Sequence, residues 1–156
     1  DAAMLEWYAA EFPAEAYDVA PFVEYRGGDG FYRKYRVMYI GGEPHPYHLA
    51  IDPSWMIHYH SSSMARFEWM RAEERAFLND PETALPCWNG AIRDVARAVG
   101  LDYFGIDCTL LPDGRLFVFE ADTAMLVHNF AAEAAKRAAH ARIVSALDAL
   151  LTSRAG

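Results

Sequence analysis

The chain has 156 residues, 53% hydrophobic and 14% aromatic, which excludes a disordered polypeptide and suffices for one domain with a packed core. A formal net charge of −8 argues against a general nucleic-acid or anionic-membrane binder, because phosphate surfaces call for a basic face. No apolar run approaches the roughly 18 residues of a membrane span.

A short helix is expected at residues 3–12, "AMLEWYAAEF", ended by Pro13. "APFVEYR" (20–26) predicts a strand and "GGDG" (27–30) a loop. A long strand follows at 31–40, with Arg33, Tyr35, Val37 and Tyr39 on one face and Lys34, Arg36, Met38 and Ile40 on the other. Gly41-Gly42 is a two-residue hairpin signal, and residues 43–51 return as the partner strand. Pairing Ile40 with Glu43 sets Arg36 opposite Tyr47. Residues 52–65 read as irregular, 66–78 as a helix, and "PCWNGAIRDVARAV" (86–99) as another, with Gly100 as its C-cap. A second hairpin occupies 100–122, and an Ala- and Leu-rich helix occupies 129–151. The pattern predicts an α+β fold: a mainly antiparallel sheet with helices packed on one face, in a single domain spanning 1–156.

The second hairpin, "GLDYFGIDCTLLPDGRLFVFEAD", carries acids where strands disfavour them. A two-residue Asp113-Gly114 turn, with Pro112 opposite Arg115, puts Asp107 opposite Glu120, and Asp122 two residues on along the same face. Three carboxylates on one face repel unless a cation joins them, and Mg²⁺ favours such hard oxygen ligands. A three-residue loop shifts the register by one and sends Asp107 to the opposite face, unless a bulge restores it. The competing reading is an edge hairpin with one solvated acidic face.

Taken in order, "PFVEYR", "KYRVMYIGGEPHPYH" and the acidic hairpin resemble the C-terminal lobe of the ATP-grasp superfamily, nearest in pattern to glutathione synthetases and ribosomal-protein glutamate ligases. The resemblance covers about residues 18–128. It implies that Glu24 and Tyr25 flank adenine, Asp29 contacts ribose, Arg36 meets the phosphates in a catalytic role, and Asp107, Glu120 and Asp122 hold Mg²⁺. It further implies an ATP- and Mg²⁺-dependent carboxylate–amine or thiol ligase working through an acylphosphate, on a small-molecule or peptide carboxylate. A kinase of the same fold, or a degenerate nucleotide-binding homologue, is the alternative. The family's "E-x-N" is "E-A-D" here, and the small residues that often follow are replaced by "TAML". The lobe that covers ATP in the family lies outside this sequence, so the chain is expected to be a C-terminal fragment, inactive alone. An apolar docking surface for that lobe would favour a dimer.

Four histidines, His45, His48, His58 and His60, suggest a rival: a zinc-binding module or metallohydrolase. Lining an acceptor pocket, or simple packing, are the other readings. Ser61–Ser63 lack a G-x-S-x-G elbow, which discounts a serine hydrolase. Lys136, Arg137, Arg142 and Arg154 read as surface charge. Cys87 and Cys108 lack metal-type spacing and Cys108 reads as a buried hydrophobe; with no signal peptide, a reducing, cytoplasmic setting is expected.

Overall fold

The computed structural model of the chain describes residues 2–14, 16–17, 20–86, 88–129 and 133–155. Four strands, β1 (Tyr32–Ile40), β2 (Glu43–Asp52), β3 (Tyr103–Leu110) and β4 (Leu116–Asp122), form one antiparallel sheet in the order β2-β1-β3-β4. Among the described residues there are five α-helices, α1 (Ala2–Glu11), which buries no side chain, and α2 (Glu68–Asn79), α3 (Pro81–Ala84), α4 (Trp88–Val99) and α5 (Ala134–Ala155). The class is α+β, as the alternation of apolar residues predicts. No helix among the described residues is long and apolar enough to cross a membrane.

The β1–β2 turn forms on Gly41 and Gly42, both at positive φ (58° and 98°), so Ile40 pairs with Glu43. Beyond it the register departs from the expected one. A bulge at Tyr47 leaves Arg36 opposite His48 instead. The extra residue follows Pro46, and β2 is an edge strand; edges and bulges are where a sheet accommodates proline.

One sheet face is apolar through its centre. Tyr35, Val37, Leu49, Ile51, Phe104, Ile106 and Cys108 pack there against Met70, Phe77 and Leu78 of α2, Leu85, and Trp88, Ile92 and Ala96 of α4. Full burial of such side chains contributes about 1.5–3 kcal/mol each relative to exposure. The helices present a single stripe to it, and Gly100, at φ 70°, ends α4 with its N–H bonded to Ala96 O at 2.8 Å. α5 belongs to both faces. Ala139 joins the apolar layer, while Ile143, Ala146 and Leu150 reach the far end of the opposite face with Met38 and Ile40.

Three local differences separate the observed elements from the expected ones. Residues 20–26 make no strand; Tyr25 packs on Tyr32 and Phe119, so the β-prone side chains are satisfied by packing without ladder bonds. α3 is an additional helix, started by Asp80, whose carboxylate accepts from Thr83 N–H, and by Pro81 in the first turn. α5 begins at Ala134, and residues 130–132 of its expected start, like Cys87, lie outside the described residues.

Candidate functional site

The second sheet face is apolar only at its ends. Tyr32 and Ala50 pack with Tyr25 and Ile57 at one end, and Met38, Ile40 and Tyr47 with Met125 at the other. Between them β1 presents Lys34 and Arg36, and β3 presents Asp107.

The acidic hairpin reaches this arrangement by an unexpected route. Its loop has three residues, not two: Leu111 N–H bonds Arg115 O at 2.9 Å, Gly114 N–H bonds Leu111 O at 2.9 Å, and Gly114 takes φ 83°. That loop alone would put Asp107 and Glu120 on opposite faces. A bulge at Phe119 restores the parity, so Asp107 pairs with Glu120 and Gly105 with Asp122. Asp107 thus stands opposite Glu120 with Asp122 two residues on, the register inferred from a two-residue turn, but it is reached by a three-residue loop and a bulge.

Asp107 is 1% exposed and fully engaged. Arg36 Nε and Nη2 donate to its two oxygens at 2.6 and 2.8 Å, and Lys34 Nζ lies 3.0 Å away. Burial alone would raise the Asp107 pKa, but the Arg36 fork and the Lys34 charge prevail and hold it below the usual carboxylate value. Glu120 is 57% exposed, with Oε1 3.9 Å from Arg36 Nη2, and Asp122 accepts from Ala124 N–H at 2.9 Å. The fork uses Nε and Nη2 of Arg36; among the described residues Nη1 bonds to none, so its donors are available to an anion.

Of the residues assigned to a nucleotide, Tyr25 lies beside this floor and Asp29 does not. Tyr25 is buried between Tyr32 and Phe119, its hydroxyl donates to Trp55 O, and burial pushes its pKa up to about 12. Glu24 accepts from Arg26 N–H at 2.9 Å and from the Tyr32 hydroxyl at 3.4 Å. Asp29 instead holds Arg33, with contacts of 2.7 and 3.1 Å, and Arg33 also binds Glu73 at the end of the apolar face.

Two recesses of about 330 Å³ each meet over the Lys34–Arg36–Glu120 floor. One is lined by Tyr25, Trp55, Met56, Ile57 and Phe119. The other is walled by Tyr47, His48, Tyr59, His60 and His128, with His58 shared between the two. Asp52 braces the loop carrying three of these side chains, accepting from Ser54 N–H at 2.9 Å and Ser63 N–H at 2.8 Å. Ser61 and Ser62 donate to backbone carbonyls of His58 and Tyr59, so the serines close turns. Across the recess, the Tyr47 hydroxyl fixes the backbone of His128. Gly105 lets this chain return over the sheet, since a Cβ there would collide with Met125.

His48 is buried and its ring lies tilted against Tyr59, at 4.4 Å between centroids and 40° between planes. Burial holds its pKa well below 6.5, reinforced by Arg36, so it is neutral, and Nδ1 has no hydrogen-bond partner among the described residues. His45 lines a different recess beside α5. Of the four histidines noted in the sequence, three thus reach the site, together with His128, which no sequence pattern marked.

A buried ion pair supports the wall. Glu74, on the apolar stripe of α2, pairs with Lys136 of α5 at 3.0 Å and accepts from the Tyr59 hydroxyl at 3.1 Å and, at 3.4 Å, from Leu49 N–H on the outer edge of β2. Ile51 N–H on the same edge meets Met64 Sδ at 3.3 Å. Two amides of the edge strand are thereby covered. Lys136 is 11% exposed, so the expectation of surface charge fails for it, and Arg142 also turns inward to Leu78 O at 2.8 Å. Glu74 four residues after Met70 and three before Phe77 was the available signal: an acid on an apolar stripe needs a partner.

Among the described residues no group of three or more His, Cys, Asp or Glu side chains is placed to hold a metal ion. Lys34 and Arg36 already supply Asp107 with its counter-charge, and the histidines are spread along the wall of the recess. Comparison with protein families, with curated proteins and with solved structures returns no match.

Proposed function

We propose that this chain is the acid-bearing C-terminal lobe of an ATP-grasp ligase, acting with a second lobe of the same protein that closes over the groove. One observation carries the reading. Arg36, Asp107 and Glu120, from three adjacent strands, align in register, and Arg36 and Glu120 line both an aromatic–apolar recess and a polar one. A purine fits the first recess, against Tyr25, Trp55 and Phe119, which sets its phosphates over Arg36 and Lys34. The carboxylates fit Mg²⁺ in donor chemistry. Mg²⁺ is commonly held by one or two carboxylates plus phosphates and waters, so Glu120 and Asp122 suffice without a protein cage. Bound there, it would neutralise phosphate charge during transfer.

The chain's own residues then act by position and charge. Arg36 Nη1 holds a phosphate oxygen, Asp107 keeps the guanidinium aimed, and Lys34 adds a second cation. In the reaction proposed, a carboxylate takes the γ-phosphoryl group, ADP departs, and an amine or thiol displaces phosphate from the acylphosphate. The full-length protein titrated calorimetrically with ATP and Mg²⁺ tests this. Binding should need Mg²⁺, weaken at least tenfold in Arg36→Ala, and lose its metal dependence in Glu120→Gln. Absence of nucleotide binding, or identical behaviour of all three proteins, overturns the reading. Nucleotide binding without ADP formation would identify a binding homologue instead of a ligase.

A further inference from the structure

His48 reaches the polar recess through an irregularity in the sheet. Side chains alternate along a strand, so Tyr47 and His48 would ordinarily face opposite ways. The bulge at Tyr47 removes that alternation: both rings line the recess, and His48 stands opposite Arg36 of β1. Bulges beside functional sites re-aim side chains in this way. The ring is then clamped. It is 3% exposed and tilted against Tyr59, whose hydroxyl donates to Glu74 at 3.1 Å and whose ring lies 5.0 Å from Lys136 Nζ. The clamp strands one nitrogen. Nδ1 is sealed from solvent and bonds to nothing among the described residues. Nε2 has no partner among them either, but it is not sealed, so the ring edge that opens on the recess carries it. Buried polar atoms without a partner are rare, and N–H groups without an acceptor are the rarest. Of the two neutral tautomers, one shuts an N–H at Nδ1 away from every acceptor. The other seals only a lone pair there and turns the N–H of Nε2 into the recess.

We infer that His48 is a fixed hydrogen-bond donor of the polar recess, its Nε2–H directed at an uncharged oxygen acceptor, a carbonyl or hydroxyl, of the bound ligand. The charges lining the recess call for no net charge on that part of the ligand, because Lys34 and Arg36 are matched by Glu120 and Asp122. Ala124, Met125 and Leu126 also line it, so alkyl carbon fits beside the polar oxygen. A volume of about 330 Å³ admits a small molecule. The same proton placement argues against zinc at this residue. A metal on Nε2 would drive the proton to Nδ1, where no acceptor among the described residues receives it. Neither ATP nor Mg²⁺ is needed for this role, which rests on the recess itself and not on the ligase reading.

The test uses isotope-labelled full-length protein near neutral pH, without ATP or Mg²⁺. Long-range proton–nitrogen correlation of the imidazoles should find His48 protonated at Nε2 and bare at Nδ1. Acetamide, titrated to several hundred millimolar, should shift the His48 Nε2 resonance saturably and leave His45 and His140 unmoved. Methylammonium chloride, which has donors and no acceptor, should not shift it, and equimolar zinc chloride should leave it in place. His48→Phe keeps a ring and loses the donor. Followed on the Ala124 and Met125 methyl signals, it should weaken acetamide binding about threefold to tenfold, the loss of one neutral hydrogen bond. His48→Gln, which restores a side-chain N–H, should recover part of that loss. A proton on Nδ1, a His48 signal moved by zinc, no response to acetamide, an equal response to methylammonium, or undiminished acetamide binding in His48→Phe would each overturn the inference. If His48→Phe does not fold, the tautomer and the wild-type titrations decide. A protein that shows this donor but binds no ATP keeps the assignment and loses the ligase reading. The reverse pattern removes the assignment alone.

Discussion

The two faces of the sheet use the same four strands for opposite ends. On the helix-covered face every central position is apolar and buried, from Tyr35 and Val37 through Ile106 and Cys108. On the other, apolar clusters hold only the two ends, and the middle is given to Lys34, Arg36, Asp107 and Glu120. The first face supplies the hydrophobic burial that makes the domain stable. The second accepts the desolvation of ions in exchange for a charged groove. Its apolar ends make this tolerable, because Tyr32 and Met38 anchor β1 on both sides of the charged pair.

Substitutions that empty or unpair each face should separate these roles. Phe104→Ala, at the centre of the apolar face, should cost about 3–5 kcal/mol in urea unfolding, the range for a large buried side chain lost from a packed core. On the charged face Asp107→Asn should cost about 3 kcal/mol, the lower end for breaking a buried pair, since Lys34 and Arg36 stay 17% and 19% exposed. Glu120→Gln, two strands from Arg36 and largely solvated, should change stability by less than about 0.5 kcal/mol. If Asp107 and Glu120 prove equally dispensable, the distinction between a buried, paired carboxylate and a solvent-facing one collapses.

Gly105→Ala sharpens the comparison where the chain crosses the charged face. The new Cβ meets Met125, and overpacking of this kind costs about 1–3 kcal/mol. The loop to His128 should move with it, visible as a shifted His128 resonance, while the signals of Phe77 and Trp88 on the far face stay in place.

Acid should weaken the charged face in two steps. His48 is held neutral by burial and by Arg36, so between its depressed pKa and 6.5 the unfolded chain binds a proton that the folded chain does not. Stability therefore falls as pH drops below 6.5, with a limiting slope of about 1.4 kcal/mol per pH unit for one proton. The depressed pKa of Asp107 adds a second loss, beginning below its ordinary value of 3.8 and complete only below its folded value. His48→Gln should flatten the first step and leave the second. Unfolding free energies measured from pH 7 downwards distinguish the two; an unchanged slope in His48→Gln would assign the first step to another group.

Much of the fold was legible locally. Alternation along 31–40, the Gly41-Gly42 turn and the stripe on α4 are short-range signals, and the elements followed them. α3 was missed although Asp80-Pro81 announced it, and the 20–26 segment misled because β-prone residues also pack well outside a ladder. Within the site, the acids and Arg36 declared themselves by interrupting strand patterns. His128 and Lys136 did not, because only chain reversal after β4 and the docking of α5 bring them to the wall.

The sequence by itself determined which strand faces are apolar, because side chains alternate with period two whatever the neighbours do. It also marked Asp107, a carboxylate inside an apolar strand, as a group in need of a counter-charge. Tertiary structure alone decided what that counter-charge is for Asp107 and how the acids meet. A bulge at Phe119 compensates the three-residue loop, a bulge at Tyr47 brings His48 opposite Arg36, and Lys34 and Arg36 arrive from the neighbouring strand. Each bulge sits inside a hairpin, where one extra residue reverses every side chain beyond it, and the bulge-free pairing of β1 with β3 then sets Arg36 beside Asp107.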